Sequence, residues 1–155
     1  METLLRLLAE LIVLALILLI LPPLWEQRKH KKRKKRVKGL AKGTVPFSPQ
    51  EFLAGRKSGM KDALKFAGVY IIRNMTRNSY YVGQAVDVDR RLYQHFTGHG
   101  NGDVYADYKI RKDKFEIRVI RLSSSGFKNL NDLERYAIGA YSAYDRGYNR
   151  TRGNK

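Results

Sequence analysis

The sequence predicts an α+β fold: a small domain with a three-stranded antiparallel sheet flanked by helices, preceded by a single transmembrane helix. Segments 68–73 and 80–83 are rich in aromatic and β-branched residues and flank a polar turn, as a β-hairpin does. Segment 115–122 alternates apolar and polar residues like a half-buried strand. Helical patterns between and after these segments give the order β-β-α-α-β-α.

An apolar segment begins the chain. Residues 11–21 carry no polar side chain, and the stretch from Leu4 to Trp25 has about 22 residues, where a membrane span needs roughly 20. Arg6 and Glu10 interrupt it, but they lie four residues apart and can pair on one helix face. We predict a transmembrane anchor over residues 1–27. A cleaved signal peptide and a buried or partner-binding helix are the alternatives.

A basic tract follows. Residues 28–38 contain nine lysines or arginines, and removing them from the net charge of +17 leaves +8 for the rest of the chain. Beside an anchor, this tract predicts a single-pass membrane protein whose C-terminal domain lies on the cytoplasmic side. Residues 28–38 are also expected to contact anionic membrane lipids, or DNA. The predicted organisation is a tract and linker at 28–45, a helical lead-in at 46–67, and a domain at 68–155.

Capping signals place several helices. Ser48 and Glu51 have the spacing of a capping box at the start of the lead-in. Asp87 is expected to cap a helix that runs to Phe96, with its apolar residues spaced four apart. The other predicted elements are a glycine-rich loop before a helix at 104–111, a loop at 123–127, a helix at 130–144 and a loose basic tail.

The composition limits the chemistry. The chain has no cysteine and three histidines, which excludes thiolate sites and makes a multi-histidine metal site unexpected. A metal ion would therefore use oxygen or imidazole ligands. The strongly positive charge predicts an anionic partner, either nucleic acid or an anionic membrane surface.

Two tyrosines of the hairpin are candidate functional residues. If the turn is centred on Met75 and Thr76, Tyr70 lies directly opposite Tyr81, with Cβ atoms about 5 Å apart. Tyrosine is also a favoured strand residue, so the pair alone is best explained by sheet packing.

The helix after the hairpin adds Arg91 and His95, which share a face and flank its apolar stripe. At the edge of the helix–sheet contact, an arginine can hold a phosphate with paired hydrogen bonds. A solvated basic face is the more ordinary explanation of such a pair.

Glu134 falls inside the apolar face of the last helix, between Leu130 and Ile138. A lone buried carboxylate is costly unless it is paired or binds a metal. The alternative is a capping box from Asn131 to Glu134, which would put the carboxylate at the start of the helix.

Together these residues resemble the GIY-YIG nuclease family over residues 68–149. The two half-motifs occur as Gly68-Val69-Tyr70 and Tyr81-Val82-Gly83, with valine in place of isoleucine in both. In the family's order, they are followed by a catalytic arginine, a histidine one turn later, a metal-binding glutamate and a closing asparagine. In this chain the corresponding residues are Arg91, His95, Glu134 and Asn149.

The resemblance implies a metal-dependent endonuclease. One divalent cation, Mg²⁺ or Mn²⁺, would be held by Glu134, and Arg91 would neutralise charge on the phosphoryl oxygens. Tyr70 is the preferred base, with Tyr81 orienting water or phosphate, and the reverse assignment stays open. His95 would hold a proton or hydrogen-bond a tyrosine, and Asn149 would brace the site. No small-molecule cofactor is expected.

The expected substrate is DNA, cut with little sequence preference, because basic side chains are scattered and no DNA-reading motif accompanies them. We expect a membrane nuclease of bacterial or phage origin. The alternatives are a catalytically inactive, membrane-tethered nucleic-acid-binding module and a secreted nuclease with a cleaved signal peptide. The side chains expected to contact phosphates are Arg73, Arg77, Arg90, Lys109, Arg111, Lys112 and Lys114.

Overall fold

The chain forms two compact units, Met1–Arg33 and Lys34–Lys155, in a computed structural model that describes residues 2–20 and 23–154. Helix α1 spans Glu2–Ile20 in the first unit. Helix α2, Leu24–Lys42, begins in the first unit and ends in the second. The remaining elements all belong to the second unit.

The predicted membrane anchor is wrong. Within residues 2–20 and 23–154, no helix is long and apolar enough to cross a membrane. Glu2, Arg6 and Glu10 lie in the first half of α1, so its uninterrupted apolar part is residues 11–20, about 15 Å long against a hydrocarbon core of about 30 Å. Residues 21 and 22 of the predicted span lie outside the described part of the chain. This finding overturns the prediction of a single-pass protein with a cytoplasmic C-terminal domain.

Within the predicted tract and linker at 28–45, residues 28–42 are helical, because α2 continues through Lys42. Val37 and Ala41, one turn apart, are fully buried in the core of the second unit. Arg36 Nε donates a hydrogen bond to Ser125 O at 3.0 Å, which ties the same turn of α2 to the segment around residue 125. Burial of two apolar side chains therefore makes this basic segment a packed helix.

The lead-in is helical, as predicted. Helix α3, Pro49–Lys57, begins at the predicted capping box: Ser48 Oγ accepts from Glu51 N at 3.1 Å, and Glu51 Oε2 accepts from Ser48 N at 2.7 Å. A 3₁₀ helix at Met60–Leu64 follows. Phe47 forms an isolated antiparallel bridge with Ile117, so the lead-in is attached to the sheet.

The predicted three-stranded antiparallel sheet is confirmed. Its strands are β1 (Gly68–Asn74), β2 (Ser79–Ala85) and β3 (Phe115–Arg121), in the order β2-β1-β3. The other helices of the domain are α4 (Val88–Phe96), α5 (Gly102–Lys109), α6 (Leu122–Ser125) and α7 (Leu130–Tyr141). The short α6 lies where a loop is predicted.

The register of the hairpin differs from the prediction by one residue at the turn. Tyr70 pairs with Gly83, and Ile72 pairs with Tyr81, so the turn is centred between residues 76 and 77. The direct Tyr70–Tyr81 pairing is therefore wrong, and the two tyrosines are diagonal neighbours. Because pairing shifts by two residues, both keep the same face of the sheet. Asn78, with φ of 52°, supplies the left-handed residue that closes the longer turn.

The core has one cluster on each face of the sheet. On the first face, Tyr70 and Ile72 pack with the predicted apolar stripe of α4, Val88, Leu92 and Phe96. On the second face, residues of α7 and the buried pair of α2 pack against the sheet. The catalytic candidates come from the first face, from the edge strand β2, and from α7 and the segment that follows it.

Candidate active site

Tyr70 and His95 form a buried pair on the first face of the sheet. Their side chains are 1% and 0% exposed, and Tyr70 Oη lies 3.0 Å from His95 Nε2. The sequence places His95 at the edge of the helix–sheet contact, and this is wrong. His95 points into the core because α4 packs both its apolar stripe and this residue against the sheet.

A neighbouring loop fixes the tautomer of His95. Asn101 N donates to His95 Nδ1 at 2.9 Å, so the ring hydrogen is on Nε2 and is donated to Tyr70 Oη. Gly100 allows the loop to come this close, because a Cβ there would lie 2.7 Å from His95 Cα. Burial, and to a lesser extent the charge of Arg91, lower the pKa of His95 to about 3, so the ring is neutral.

Tyr81 lies beside this pair and is half-buried. Its ring centroid is 6.2 Å from that of Tyr70 and 4.8 Å from that of His95. The Tyr70 ring lies over Gly83, where a Cβ would be 2.5 Å from Tyr70 Cζ. A side chain at position 83 would therefore displace Tyr70 from its place beside Tyr81.

Arg91 acts on both phenols. Burial raises the pKa of Tyr81, and the positive charge of Arg91 and a hydrogen bond from Tyr70 oppose that rise. Burial raises the pKa of Tyr70 far above its usual range, and the nearby Tyr81 adds to the effect. Arg91 Nη1 donates to Gln94 Oε1 at 2.9 Å, which orients the guanidinium from the next turn of α4.

Glu134 is a buried carboxylate, 8% exposed. The capping-box alternative is wrong, because Asn129 caps α7 by accepting from Asp132 N at 2.8 Å and Glu134 lies further along the helix. Burial raises the pKa of Glu134, and hydrogen bonds from the backbone amides of Asn154 and Gln84 oppose the rise. Gln84 Nε2 also donates to Glu134 Oε2 at 3.1 Å.

These groups meet at a cleft of about 380 Å³ along β2. Tyr81, Arg91, Glu134 and Asn149 line it, whereas Tyr70 and His95 lie behind Tyr81 in the core. Sequence reasoning missed several lining residues, since it treats the tail as loose and the glycine-rich loop as a connection. These are Gly100, Asn101, Gly102, Arg150, Thr151 and Asn154.

Asn149 pairs with the backbone of β2 next to Tyr81. Its Oδ1 accepts from Val82 N at 2.9 Å, and its Nδ2 donates to Val82 O at 2.7 Å. The side-chain amide thus satisfies both edge groups of Val82. This contact holds the segment after α7 against the strand that carries Tyr81.

Three of the arginines predicted to contact phosphates also bind other side chains. Arg77 Nε lies 2.7 Å from Asp113 Oδ2 and 3.3 Å from Asp107 Oδ2, and Arg111 also pairs with Asp107. Arg73 Nη2 donates to Asn78 Oδ1 at 3.0 Å. The remaining four, Arg90, Lys109, Lys112 and Lys114, are exposed.

The cleft fits a single hard cation. No group of three or more His, Asp or Glu residues that could hold a metal occurs among residues 2–20 and 23–154. Mg²⁺, however, is often held by one or two carboxylates together with water and substrate phosphate. The donors that reach Glu134 are neutral amides, so its negative charge is kept for such an ion.

The comparison with protein families agrees with this geometry. The model of the GIY-YIG catalytic domain matches residues 66–149. No curated protein and no solved structure matches the chain. The matched residues include both tyrosine motifs, Arg91, Glu134 and Asn149. A catalytic domain of this type supports assignment to the nuclease-type phosphodiester hydrolases in general. Since the match extends over more than half of the sequence, the chain belongs to the GIY-YIG family.

Proposed function

We propose that the chain is an endonuclease that hydrolyses DNA phosphodiester bonds in the cleft along β2, with one divalent cation, Mg²⁺ or Mn²⁺. The observation that supports this most directly is the convergence of Tyr81, Arg91 and Glu134 on one cavity. A phenol, a guanidinium and a carboxylate are the groups needed to handle a proton, a phosphate and a hard cation.

Each of these groups has a distinct task. Glu134 would hold the ion. When bound, the ion supplies Lewis-acid stabilisation of the phosphoryl and leaving oxygens. Arg91 offsets the charge that develops on the phosphoryl oxygens, in a site that is partly shielded from water. Asn149 positions the strand that carries Tyr81 through its two bonds to Val82.

Tyr81, rather than Tyr70, accepts a proton from the attacking water as its phenolate, which the positive charge of Arg91 and the hydrogen bond from Tyr70 favour, and it becomes the neutral phenol. It borders the cleft, whereas Tyr70 is 1% exposed. Because His95 donates to Tyr70 Oη, the hydroxyl hydrogen of Tyr70 is directed to Tyr81, whose pKa this bond lowers. His95 and Tyr70 are therefore positioning residues that act on Tyr81. This reverses the assignment that the sequence favours.

The substrate is DNA of any sequence. The net charge of +17 favours a polyanion, and the exposed basic side chains are suited to phosphates, which carry no sequence information. Cutting should therefore yield a continuous distribution of fragment lengths. Discrete, reproducible fragments from unrelated DNAs would contradict this part of the proposal.

The test is a plasmid-degradation assay with the full chain in Mg²⁺, in Mn²⁺ and in excess chelator. We expect nicked and then degraded plasmid with either metal, no cutting in chelator, and recovery when Mg²⁺ is added in excess. DNA binding without cutting in every metal would instead support an inactive nucleic-acid-binding module. Cutting that persists in chelator would contradict the metal dependence.

A further inference from the structure

The second half of α2 carries a one-sided row of lysines. At 100° per residue, the row occupies about 100° of the helix circumference, directly beside the buried pair Val37 and Ala41. All its members are exposed and belong to the second unit. We call this row the lysine stripe, and its members are Lys34, Lys35, Lys38 and Lys42.

The stripe is fixed to the domain. The burial of Val37 and Ala41 sets its orientation, and Arg118 Nη1 donates to Ala41 O at 3.1 Å and to Thr44 O at 2.7 Å. The Lys34 stem lies across α7 at Gly139, where a Cβ would be 2.9 Å from Lys34 Cε. These contacts present the ammonium groups as a surface of defined geometry.

The charges of the stripe repel one another. Lys34, Lys38 and Lys42 follow at spacings of four, where like charges destabilise a helix. Glu26 is the last acidic residue of α2, so the helix supplies no opposite charge along the stripe. A solvated helix surface usually mixes both signs. A polyanion that lies along α2 would remove the repulsion.

The stripe ends at a cavity of about 220 Å³ on the second face of the sheet, lined by Lys42, Arg73, Arg118 and Glu116. Arg118 is bound to Glu116, with Nε 2.9 Å from Oε1. Arg73 is different, because its Nε is buried and no described residue accepts a hydrogen bond from it. The cavity is thus lined by more positive than negative charge, and one of its lining side chains, Arg73, has an unsatisfied donor.

Aromatic rings form another part of this cavity. Tyr80 and Tyr141 line it, with ring centroids 5.0 Å apart. The guanidinium of Arg73 lies 5.7 Å from the Tyr80 centroid. Aromatic rings beside recessed cations suit a nucleic-acid strand, whose phosphates and sugars project from its axis. A flat bilayer surface would meet the stripe but not the recessed arginine.

We propose that the lysine stripe and this cavity together form a second nucleic-acid-binding surface, which holds the phosphodiester backbone outside the catalytic cleft. The lysines neutralise phosphates, and Arg73 donates a charge-assisted hydrogen bond to a phosphate oxygen. The surface lies on the face of the sheet opposite Tyr70 and His95. It binds without regard to sequence and does not require the cleft to be active.

The test measures the affinity of the full-length Glu134→Gln chain for a labelled DNA duplex over a range of salt concentrations. Adding Lys38→Ala and Lys42→Ala should reduce the slope of log affinity against log salt by roughly two, since each lost phosphate contact changes it by about 0.9. The matched control, Lys57→Ala with Lys65→Ala, removes two exposed lysines elsewhere and should leave the slope unchanged. An unchanged slope in the first pair, or equal losses in both pairs, would overturn the proposal.

Two further arms define the ligand. Arg73→Lys keeps the charge but removes the recessed Nε, so affinity should fall while the salt slope stays nearly constant. Unchanged affinity would show that the cavity is not part of the DNA-binding surface.

Vesicles with and without anionic phospholipid test whether the stripe binds a membrane instead of DNA. If the Lys38 and Lys42 substitutions weaken vesicle binding alone, the stripe serves a membrane and the proposal is wrong. Cleavage is not measured in any arm, so these outcomes are independent of the proposed nuclease activity.

Discussion

At the scale of single residues, the side chains around Tyr81 form a directed chain of hydrogen bonds. Asn101 N donates to His95, and His95 donates to Tyr70. The hydroxyl hydrogen of Tyr70 is then available to Tyr81. Burial raises the pKa of Tyr81, and the charge of Arg91 and this hydrogen bond oppose the rise. Tyr81 is the end of this chain and borders the cleft.

Replacing Tyr81 should therefore be the more damaging of the two tyrosine changes. Tyr81→Phe removes the proton acceptor and should lower the turnover rate by about 10²–10⁴-fold. Tyr70→Phe should cause a smaller loss, because it only weakens the polarisation of Tyr81. Single-turnover cleavage measures both, with Tyr144→Phe at an exposed position as the control. A larger loss in Tyr70→Phe would return the role of base to Tyr70.

His95 predicts a specific pH dependence of stability. Its pKa is about 3 in the folded chain and about 6.5 when unfolded, so below pH 6.5 the unfolded state binds a proton that the native state does not. The free energy of unfolding should therefore decrease as the pH is lowered. Between pH 7 and pH 5 this decrease should be about 2 kcal/mol larger in wild type than in His95→Gln.

Urea denaturation at pH 7 and at pH 5 measures this difference. The control is His99→Gln, at an exposed position, which should follow wild type at both pH values. Identical pH dependence in wild type and His95→Gln would mean that the buried imidazole is not held neutral.

At the scale of elements, helix α2 changes how the basic tract is understood. The tract has the composition of a solvated, unstructured segment, yet its second half packs on the sheet through Val37 and Ala41. Its only apolar signal for a packed helix is this pair, one turn apart among many charged residues. A pair is too short to be recognised as a helical repeat of apolar residues. Only the contacts of these two residues with β1 and α7 identify the segment as a helix that packs on the domain.

Val37→Ala tests whether α2 is part of the domain. Removing buried methyl groups should lower the free energy of unfolding by about 1–3 kcal/mol. Val45→Ala, at a residue that is 83% exposed, is the matched control and should change stability by less than about 0.5 kcal/mol. If both variants unfold like wild type, α2 contributes nothing to the core.

The strands, α4 and the capping boxes could be predicted because their signals are local. Period-two alternation, an N-cap and i, i+4 apolar spacing each act within a few residues. The hairpin register could not, since it depends on Asn78 taking a left-handed conformation in the turn. The burial of His95 likewise depends on Gly100 and Asn101, which approach from another loop. The packing of α2 could not be predicted either, because Val37 and Ala41 are buried by contacts with distant parts of the chain.

The sequence indicates which residues lie at the site better than it indicates how their side chains are arranged. Arg91, Glu134 and Asn149 border or brace the cleft as the family resemblance implies, but the contributions of Gln84 and the tail at Asn154 come from segments with no motif. Most of the residues predicted to contact phosphates are exposed basic side chains. Arg77 and Arg111 are instead used to neutralise buried Asp107.

At the scale of the whole molecule, the second unit has two chemically different surfaces. The cleft along β2 combines one carboxylate with Arg91 and Tyr81, which suits bond cleavage. The lysine stripe and its cavity lie on the face of the sheet opposite Tyr70 and His95 and suit retention of a polyanion. With the two proposed functions on separate surfaces, DNA would remain bound between cuts, and retention and cleavage should be separable by mutation.

We propose that the cleft is a one-metal phosphodiesterase site organised around Glu134. The most direct measurement compares cleavage and binding of DNA by wild type, Glu134→Gln and the exposed control Asp145→Asn, in Mg²⁺. Glu134→Gln should lose cleavage by at least about 10²–10³-fold while its affinity for DNA stays near that of wild type, and Asp145→Asn should match wild type in both. Cleavage by Glu134→Gln at the wild-type rate would contradict the account.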